Sequence, residues 1–224
     1  MPEQLGFDLP RVAALRRADF LVAPSNAVAL AMIEDPATDK LVLSGPDGSG
    51  KTHLAHIWAA QRDAKILPAT ALREDAVPNL AQGSVALEDV PLIAGDPEAQ
   101  TALFHLYNLV LAEGHALLLT GRSVARDWGL TLPDLASRIT AAPAVSVQVP
   151  DDALLAAVLA KLFADRQLTP KTDLIPYLIR RMDRSFAAAG AIVERLDAAS
   201  LAQKRPLSRS FAATLLDKED PGAR

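Results

Sequence analysis

The sequence predicts an α/β fold with a five-stranded parallel sheet, followed by a small all-helical lid. Two observations support this prediction. Short apolar runs alternate with helical patterns as far as Val149, and after Pro150 only helical patterns remain. Runs without polar alternation suit strands covered on both faces, and repeated strand–helix units imply right-handed crossovers between parallel strands. We therefore predict an N-terminal arm (1–19), an α/β part (20–150) and a helical lid (151–224).

The individual elements follow from the same patterns. The predicted strands are 40–43, 64–67, 84–87, 116–120 and 145–149, and the predicted helices between and before them are 27–33, 51–62, 97–113 and 132–141. The lid helices begin at Asp151 and Asp152, whose carboxylates suit the positive end of a helix dipole. Three more are predicted at 173–182, 185–203 and 208–216.

Composition and charge narrow the class of protein. The chain has 224 residues, of which 50% are hydrophobic, and it contains no cysteine. A formal net charge of −4 argues against a dedicated duplex-binding surface, so a protein partner is expected and DNA only indirectly. No stretch reaches the roughly 18 apolar residues of a membrane span, and no secretory signal is present. We expect a cytoplasmic protein with no membrane partner.

Residues 45–52 fit the P-loop pattern G-x-x-x-x-G-K-[ST], directly after a predicted strand and before a predicted helix. Glycines allow successive backbone N–H groups to face phosphates, the lysine supplies a charge near the β- and γ-phosphates, and the threonine hydroxyl can bind Mg²⁺. The sequence therefore predicts binding of a nucleoside di- or triphosphate. The predicted binding residues are Gly45, Pro46, Asp47, Gly48, Ser49, Gly50, Lys51 and Thr52.

Glu88 and Asp89 follow the third predicted strand, at its carboxyl end. Ligands bind at the carboxyl ends of strands in open α/β sheets, and a P-loop needs a nearby acid to hold its metal. Both acids are therefore candidate catalytic residues, and Glu88 joins Thr52 as a candidate Mg²⁺ ligand. A solvated acidic pair at the start of a loop remains the alternative.

Arg138 lies late in the helix predicted before the fifth strand. It is either an ordinary surface arginine or an arginine finger presented to a nucleotide in another subunit. A finger stabilises charge on the transferring phosphate. Its position alone does not decide between the two.

The N-terminal arm contains Gln4, Leu5, Phe7 and Leu9, a glutamine followed by apolar residues. An extended arm of this kind can place apolar side chains in the pockets of a partner. The alternative, favoured by these residues alone, is that Phe7 and Leu9 fold back on the domain.

Taken together, the motifs resemble the AAA+ domain of DnaA and, more closely, the DnaA-related Hda family. The resemblance covers nearly the whole chain. It rests on FLVAPSN (20–26), IAGD (93–96), LFHLYN (103–108), LPDLASR (132–138) and RMDR (181–184). The QLGFDL of the arm resembles the sliding-clamp-binding hexapeptide of Hda, which reverses the preference for a folded-back arm.

The resemblance implies a set of roles. Gln4 would hydrogen-bond the clamp (the polymerase beta subunit) while Leu5, Phe7 and Leu9 fill its pocket, and Arg138 would act in trans on ATP bound to DnaA. Val22 would lie beside the adenine and His53 would join the nucleotide-binding residues. The chain would hold ADP or ATP with Mg²⁺; whether it forms a homodimer stays open.

Two departures from the family pattern bear on catalysis. Arg122 occupies the sensor I position, where an acidic residue is usual, and Ala187 stands near the expected sensor II arginine. Loss of a cation from the γ-phosphate predicts slow self-hydrolysis. The alternative function is an autonomous AAA+ ATPase, such as a helicase loader of the DnaC or IstB kind.

Overall fold

A computed structural model describes residues 15–217 of the chain. Its five strands form one parallel sheet in the order β2-β3-β4-β1-β5. The prediction of a five-stranded parallel sheet is therefore confirmed. The strands are β1 (Lys40–Ser44), β2 (Lys65–Pro68), β3 (Val85–Glu88), β4 (Leu117–Gly121) and β5 (Ala144–Ser146).

Helices cover both faces of this sheet. They are α1 (Ala27–Glu34), α2 (Lys51–Arg62), α3 (Val77–Leu80), α4 (Pro97–Ala112) and α5 (Pro133–Ala141). One core lies between the sheet and α3, α4 and α5, and a second lies between the sheet and α1 and α2. Val42 belongs to the first core, whereas Leu41 and Leu43 belong to the second. This explains why β1 is apolar at successive positions.

The fifth strand is shorter than the predicted 145–149. Beyond Ser146 the chain still bonds to its neighbours, but outside the strand ladder: Val147 N–H donates to Ser44 O at 2.8 Å, and Gln148 N–H donates to Ser25 O at 3.2 Å. The first bond joins the end of the α/β part to the last residue of β1, and the second joins it to the segment before α1. The short helix α3 was not predicted, because four residues are too few for a periodic pattern.

Four helices follow: α6 (Asp152–Asp165), α7 (Leu174–Ile179), α8 (Phe186–Gln203) and α9 (Arg209–Leu216). They bury a core of their own, which includes Phe163, Leu178, Val193 and Phe211. The Asp151 side chain caps α6 by accepting the Leu154 N–H at 2.7 Å, as the acidic start predicted. The all-helical lid is confirmed, and within residues 15–217 no helix is long and apolar enough to cross a membrane.

Candidate nucleotide-binding site

The P-loop connects the carboxyl end of β1, which lies between β4 and β5 in the sheet, to the start of α2. Gly48 and Gly50 have φ angles of +69° and +101°, in the left-handed region that side chains rarely adopt. A Cβ added to Gly48 would lie 2.4 Å from the Cβ of Ser185. Position 48 therefore requires glycine for two reasons. Its backbone conformation disfavours a side chain, and the lid lies so close to the loop that a Cβ would have no space.

Lys51 lies folded back on this loop. Its Nζ donates to Gly45 O at 2.8 Å and to Pro46 O at 2.9 Å. Burial lowers the pKa of this ammonium, and the carboxylates of Asp47 and Asp89 oppose that shift. Phosphate oxygens carry negative charge, so they would bind the same ammonium more strongly than these neutral carbonyl groups do.

A cavity of about 900 Å³ opens between the P-loop and the lid. This volume lies in the range of small-molecule and cofactor sites. One part of its wall is polar and comes from the loop and the first turn of α2, including Lys51 and Thr52. The apolar part comes from Leu15, Phe20, Leu21, Leu154, Val158, Leu162 and Phe186. A charged end beside an apolar end fits the phosphates and the base of a nucleotide.

The two candidate acids are placed differently. Asp89 lines the cavity together with Thr52, and its N–H donates to the buried Thr120 hydroxyl at 3.1 Å. Glu88 ends β3, is half-buried, and does not line the cavity. Within residues 15–217 no cluster of three His, Cys, Asp or Glu side chains could hold a metal alone. Thr52 with one acid and phosphate oxygens is the kind of ligand set that Mg²⁺ accepts.

The segment before α1 supplies other residues to the cavity than the predicted Val22. Val22 is 54% exposed and does not line the cavity, whereas Phe20 and Leu21 do. The buried Asn26 side chain explains this placement: it accepts the Ala23 N–H and donates to Leu21 O, both at 2.9 Å. The turn fixed in this way leaves Val22 facing outwards.

His53, also predicted to contact nucleotide, lines the cavity and holds the segment before Phe20. Its Nε2 lies 2.9 Å from Arg16 O, and its ring meets the Phe20 ring edge-on at a centroid distance of 5.1 Å. The beginning of the described chain is thereby attached to the first turn of the P-loop helix.

Arg122 and Ala187, which the resemblance assigns to the two sensor positions, both lie near the P-loop, and Arg122 makes a contact that the sequence did not predict. Arg122 follows β4 and its Nη1 lies 3.1 Å from Asp47 Oδ2 in the P-loop, an exposed ion pair. Ala187 lines the cavity on α8. Arg122 therefore pairs with the P-loop, and Ala187 brings no charge to the cavity.

Two contacts that sequence reasoning missed join the lid to the α/β part. Phe186 N–H, at the start of α8, donates to Gly48 O at 2.9 Å. Lys161 of α6 pairs with Asp19 and with Asp165, each at 3.0 Å. The hydrogen bond to Asp19 is the largest cause that raises the pKa of Lys161. The spacing of Lys161 and Asp165 is a local signal, but nothing in the sequence indicated Asp19.

Arg138 lies on the exposed surface of α5 and does not line this cavity. Its guanidinium carbon is 5.4 Å from the centroid of the Phe104 ring on α4. Within residues 15–217 it forms no ion pair with a carboxylate. The clamp-motif residues Gln4, Leu5, Phe7 and Leu9 lie outside the described residues.

The contact between Gly48 and Ser185 gives a first testable prediction. Gly48→Ala is expected to weaken nucleotide binding at least about tenfold and to destabilise the fold by about 1–3 kcal/mol, the usual cost of forcing extra atoms into a packed site. Titration with a fluorescent ADP analogue and thermal unfolding would measure both effects. Gly83→Ala is the matched control, since nothing lies within 4 Å of its added Cβ. Unchanged affinity in Gly48→Ala would contradict the packing of the lid on the loop.

Comparison with known proteins agrees with this arrangement. Residues 152–216 match the family model described as "Hda, lid domain". Domain III of the Thermotoga maritima replication initiation protein DnaA superposes with a TM-score of 0.79 at 17% identity, covering 91% of this chain and 96% of that one. AMPPCP-bound DnaA from Aquifex aeolicus superposes with a TM-score of 0.66 at 18% identity, covering 79% of this chain and 63% of that one. A Thermotoga maritima RuvB mutant superposes with a TM-score of 0.68 at 15% identity, covering 88% of this chain and 67% of that one. At such identities the structures show the fold.

Proposed function

We propose that the chain is an Hda-like negative regulator of DNA replication initiation, because residues 152–216 match the Hda lid-domain model and the fold is that of the DnaA structures. In this role it binds the sliding clamp on DNA, engages ATP-bound DnaA and promotes hydrolysis of the ATP held by DnaA. Its own P-loop holds ADP or ATP with Mg²⁺, bound by Thr52 and a neighbouring acid.

The observation that carries this proposal is the placement of Arg138. Its guanidinium is exposed, is stacked on Phe104, and lies outside the cavity that would hold the chain's own nucleotide. An arginine finger supplied in trans reaches the phosphates of a neighbouring molecule, so it lies outside the nucleotide site of its own chain. Arg138 meets this condition, and within the described residues no carboxylate pairs with its guanidinium.

The chain's own site supports a regulatory role for the bound nucleotide. Ala187 supplies no cation from the lid, and Arg122 is paired with Asp47. Preorganised charge at the γ-phosphate is a major source of catalysis in phosphoryl transfer, so self-hydrolysis should be slow. A nucleotide in this cavity would contact the P-loop and the lid together, and it therefore serves chiefly to fix the lid against the loop.

The arm is the proposed clamp-binding element, through Gln4, Leu5, Phe7 and Leu9. Within the described residues, the last part of the arm lies beside the nucleotide cavity: Leu15 lines it and Arg16 O contacts His53. Clamp binding by the arm would therefore hold the P-loop part close to the clamp.

Gln4→Ala is expected to lower clamp affinity at least about tenfold, because the partner's hydrogen-bonding groups would be left buried and unpaired. Surface plasmon resonance on immobilised clamp would measure this loss. Glu3→Ala, one residue away and outside the motif, is the control and should bind as the wild type does. If Gln4→Ala and the wild type bind the clamp with equal affinity, the arm is not the clamp-binding element.

A reconstituted hydrolysis assay tests the whole function. DnaA loaded with radiolabelled ATP would be incubated with this chain, with and without clamp loaded on DNA, and the ADP bound to DnaA would be measured. Conversion should require both the chain and the clamp. A strong Mg²⁺-dependent ATPase of the isolated chain, without conversion of DnaA, would instead favour a helicase loader of the DnaC or IstB kind.

A further inference from the structure

Three arginines of the lid surround two buried aromatic rings, where α7, α9 and the connection between α8 and α9 meet. The guanidinium carbons of Arg181 and Arg209 lie 5.6 and 5.4 Å from the centroid of the Tyr177 ring. That of Arg205 lies 5.0 Å from the centroid of the Phe211 ring. Tyr177 and Phe211 are buried, whereas all three arginines are exposed. We name Arg181, Arg205 and Arg209 the lid arginine cluster.

Most of the charge in this cluster is not neutralised by carboxylates. Arg181 pairs with Asp217 at 2.9 Å and donates to the Tyr177 hydroxyl at 2.7 Å. Within residues 15–217, the guanidinium groups of Arg205 and Arg209 contact only the aromatic rings. Stacking of this kind holds a guanidinium in place while its N–H donors stay available at the edges. Arg205 and Arg209 are thus held in place while the hydrogen-bond donors of their guanidinium groups stay available.

We propose that the lid arginine cluster binds the phosphate backbone of duplex DNA. A planar guanidinium donates two parallel hydrogen bonds to phosphate oxygens, and duplex DNA carries a negative charge about every 1.7 Å along its axis. Proteins that prefer single strands stack the bases on exposed aromatic side chains. Here Tyr177 and Phe211 are already covered, so the cluster offers charge and no stacking surface.

The distribution of charge in the chain agrees with this assignment. Acidic residues outnumber basic ones in 15–150, whereas basic residues outnumber acidic ones in 151–217. The whole-chain charge of −4 therefore conceals a difference between the two parts. A protein partner would favour apolar area at the centre of its interface. The cluster presents guanidinium groups over buried rings, which suits a polyanion better.

This inference goes beyond the proposed function and does not depend on it, because duplex binding can be measured with the intact chain alone. The probe is a fluorescein-labelled DNA duplex of arbitrary sequence, followed by anisotropy at several KCl concentrations without clamp or DnaA. Arg205→Ala/Arg209→Ala is expected to reduce the slope of log K against log salt by about 1.8, since each lost phosphate contact accounts for about 0.9. Lys65→Ala/Arg126→Ala removes the same charge from the α/β part and should leave the slope unchanged.

The double variant Arg205→Lys/Arg209→Lys keeps the charge of the cluster, so it should keep most of the slope. A comparison with the alanine pair therefore separates the effect of lost charge from the effect of a damaged fold. Thermal unfolding of each variant checks folding directly. The inference is overturned if the wild type shows no salt-dependent duplex binding, or if the control pair loses as much slope as the cluster pair. Tighter binding of a labelled single strand would also overturn it. Displacement of the duplex by polyglutamate at equal charge would mark the cluster as a surface for acidic proteins.

Measurements on the wild-type chain separate this inference from the proposed function. Clamp capture by surface plasmon resonance and conversion of ATP-bound DnaA are measured beside duplex binding. If the wild type converts ATP-bound DnaA to the ADP form but does not bind the duplex, the inference is wrong and the proposed function stands. If the wild type binds the duplex but does not convert ATP-bound DnaA, the proposed function is wrong and the inference stands.

Discussion

Under the proposed function, Arg138→Ala is expected to lower the stimulated rate of ATP hydrolysis by DnaA about a thousandfold or more. An arginine finger stabilises the charge that develops on the transferring phosphate, and its removal costs roughly 10³ to 10⁵ in rate. Because Arg138 is exposed and contacts chiefly the Phe104 ring, the substitution should leave the fold intact. Single-turnover conversion of ATP-bound DnaA, in the presence of clamp on DNA, would measure the effect.

The matched control for this variant is Arg126→Ala. Arg126 is also exposed and lies in the α/β part, but it pairs with Asp127 at 3.6 Å. This control should stimulate hydrolysis as the wild type does, and both variants should retain clamp binding. An Arg138→Ala protein that stimulates DnaA at the wild-type rate would show that the finger lies elsewhere.

Lys51→Ala is expected to weaken binding of ADP and ATP by about tenfold to a hundredfold. Hydrogen bonds to charged groups contribute about 1.5–3 kcal/mol, which corresponds to this range of affinities. The ammonium is buried and bonded to Gly45 O and Pro46 O, so it already lies in the loop that receives the phosphates. Isothermal titration calorimetry with each nucleotide would measure the loss.

Two further measurements complete this prediction. Lys65→Ala, which removes an exposed lysine from β2, is the control and should bind nucleotide normally. Lys51→Ala should also lose the thermal stabilisation that the wild type gains from ADP, because a ligand stabilises only the state that binds it. Unchanged affinity in Lys51→Ala would place the nucleotide outside this cavity.

The fold could be predicted from the sequence because its signals are local. β1 shows successive apolar residues because both of its faces are covered, and the P-loop follows it directly. The start of α6 is marked by Asp151, which caps it. Strand order has no such local signal. That β4 lies between β1 and β3 depends on how the crossovers pass over the sheet.

The candidate site could be predicted only in part, for the same physical reason. Residues 45–52 are contiguous, so their pattern alone indicates phosphate binding. The contacts of this loop with Arg122, Phe186 and Ser185 join positions that are far apart in the chain. Val22 is predicted to lie beside the base, whereas the turn fixed by the Asn26 side chain brings Phe20 and Leu21, and not Val22, into the wall of the cavity.

What the sequence determined by itself was the type of sheet, the helical lid and the phosphate-binding loop, because apolar periodicity and a contiguous motif specify them. The tertiary structure decided the position of the lid on that loop, the pairing of Arg122 with Asp47, and the exposure of Arg138 away from the nucleotide cavity. The tertiary structure also brings together Arg181, Arg205 and Arg209, and the net charge of the whole chain could not indicate this cluster. Contacts between distant residues depend on packing, and a linear pattern does not encode packing residue by residue.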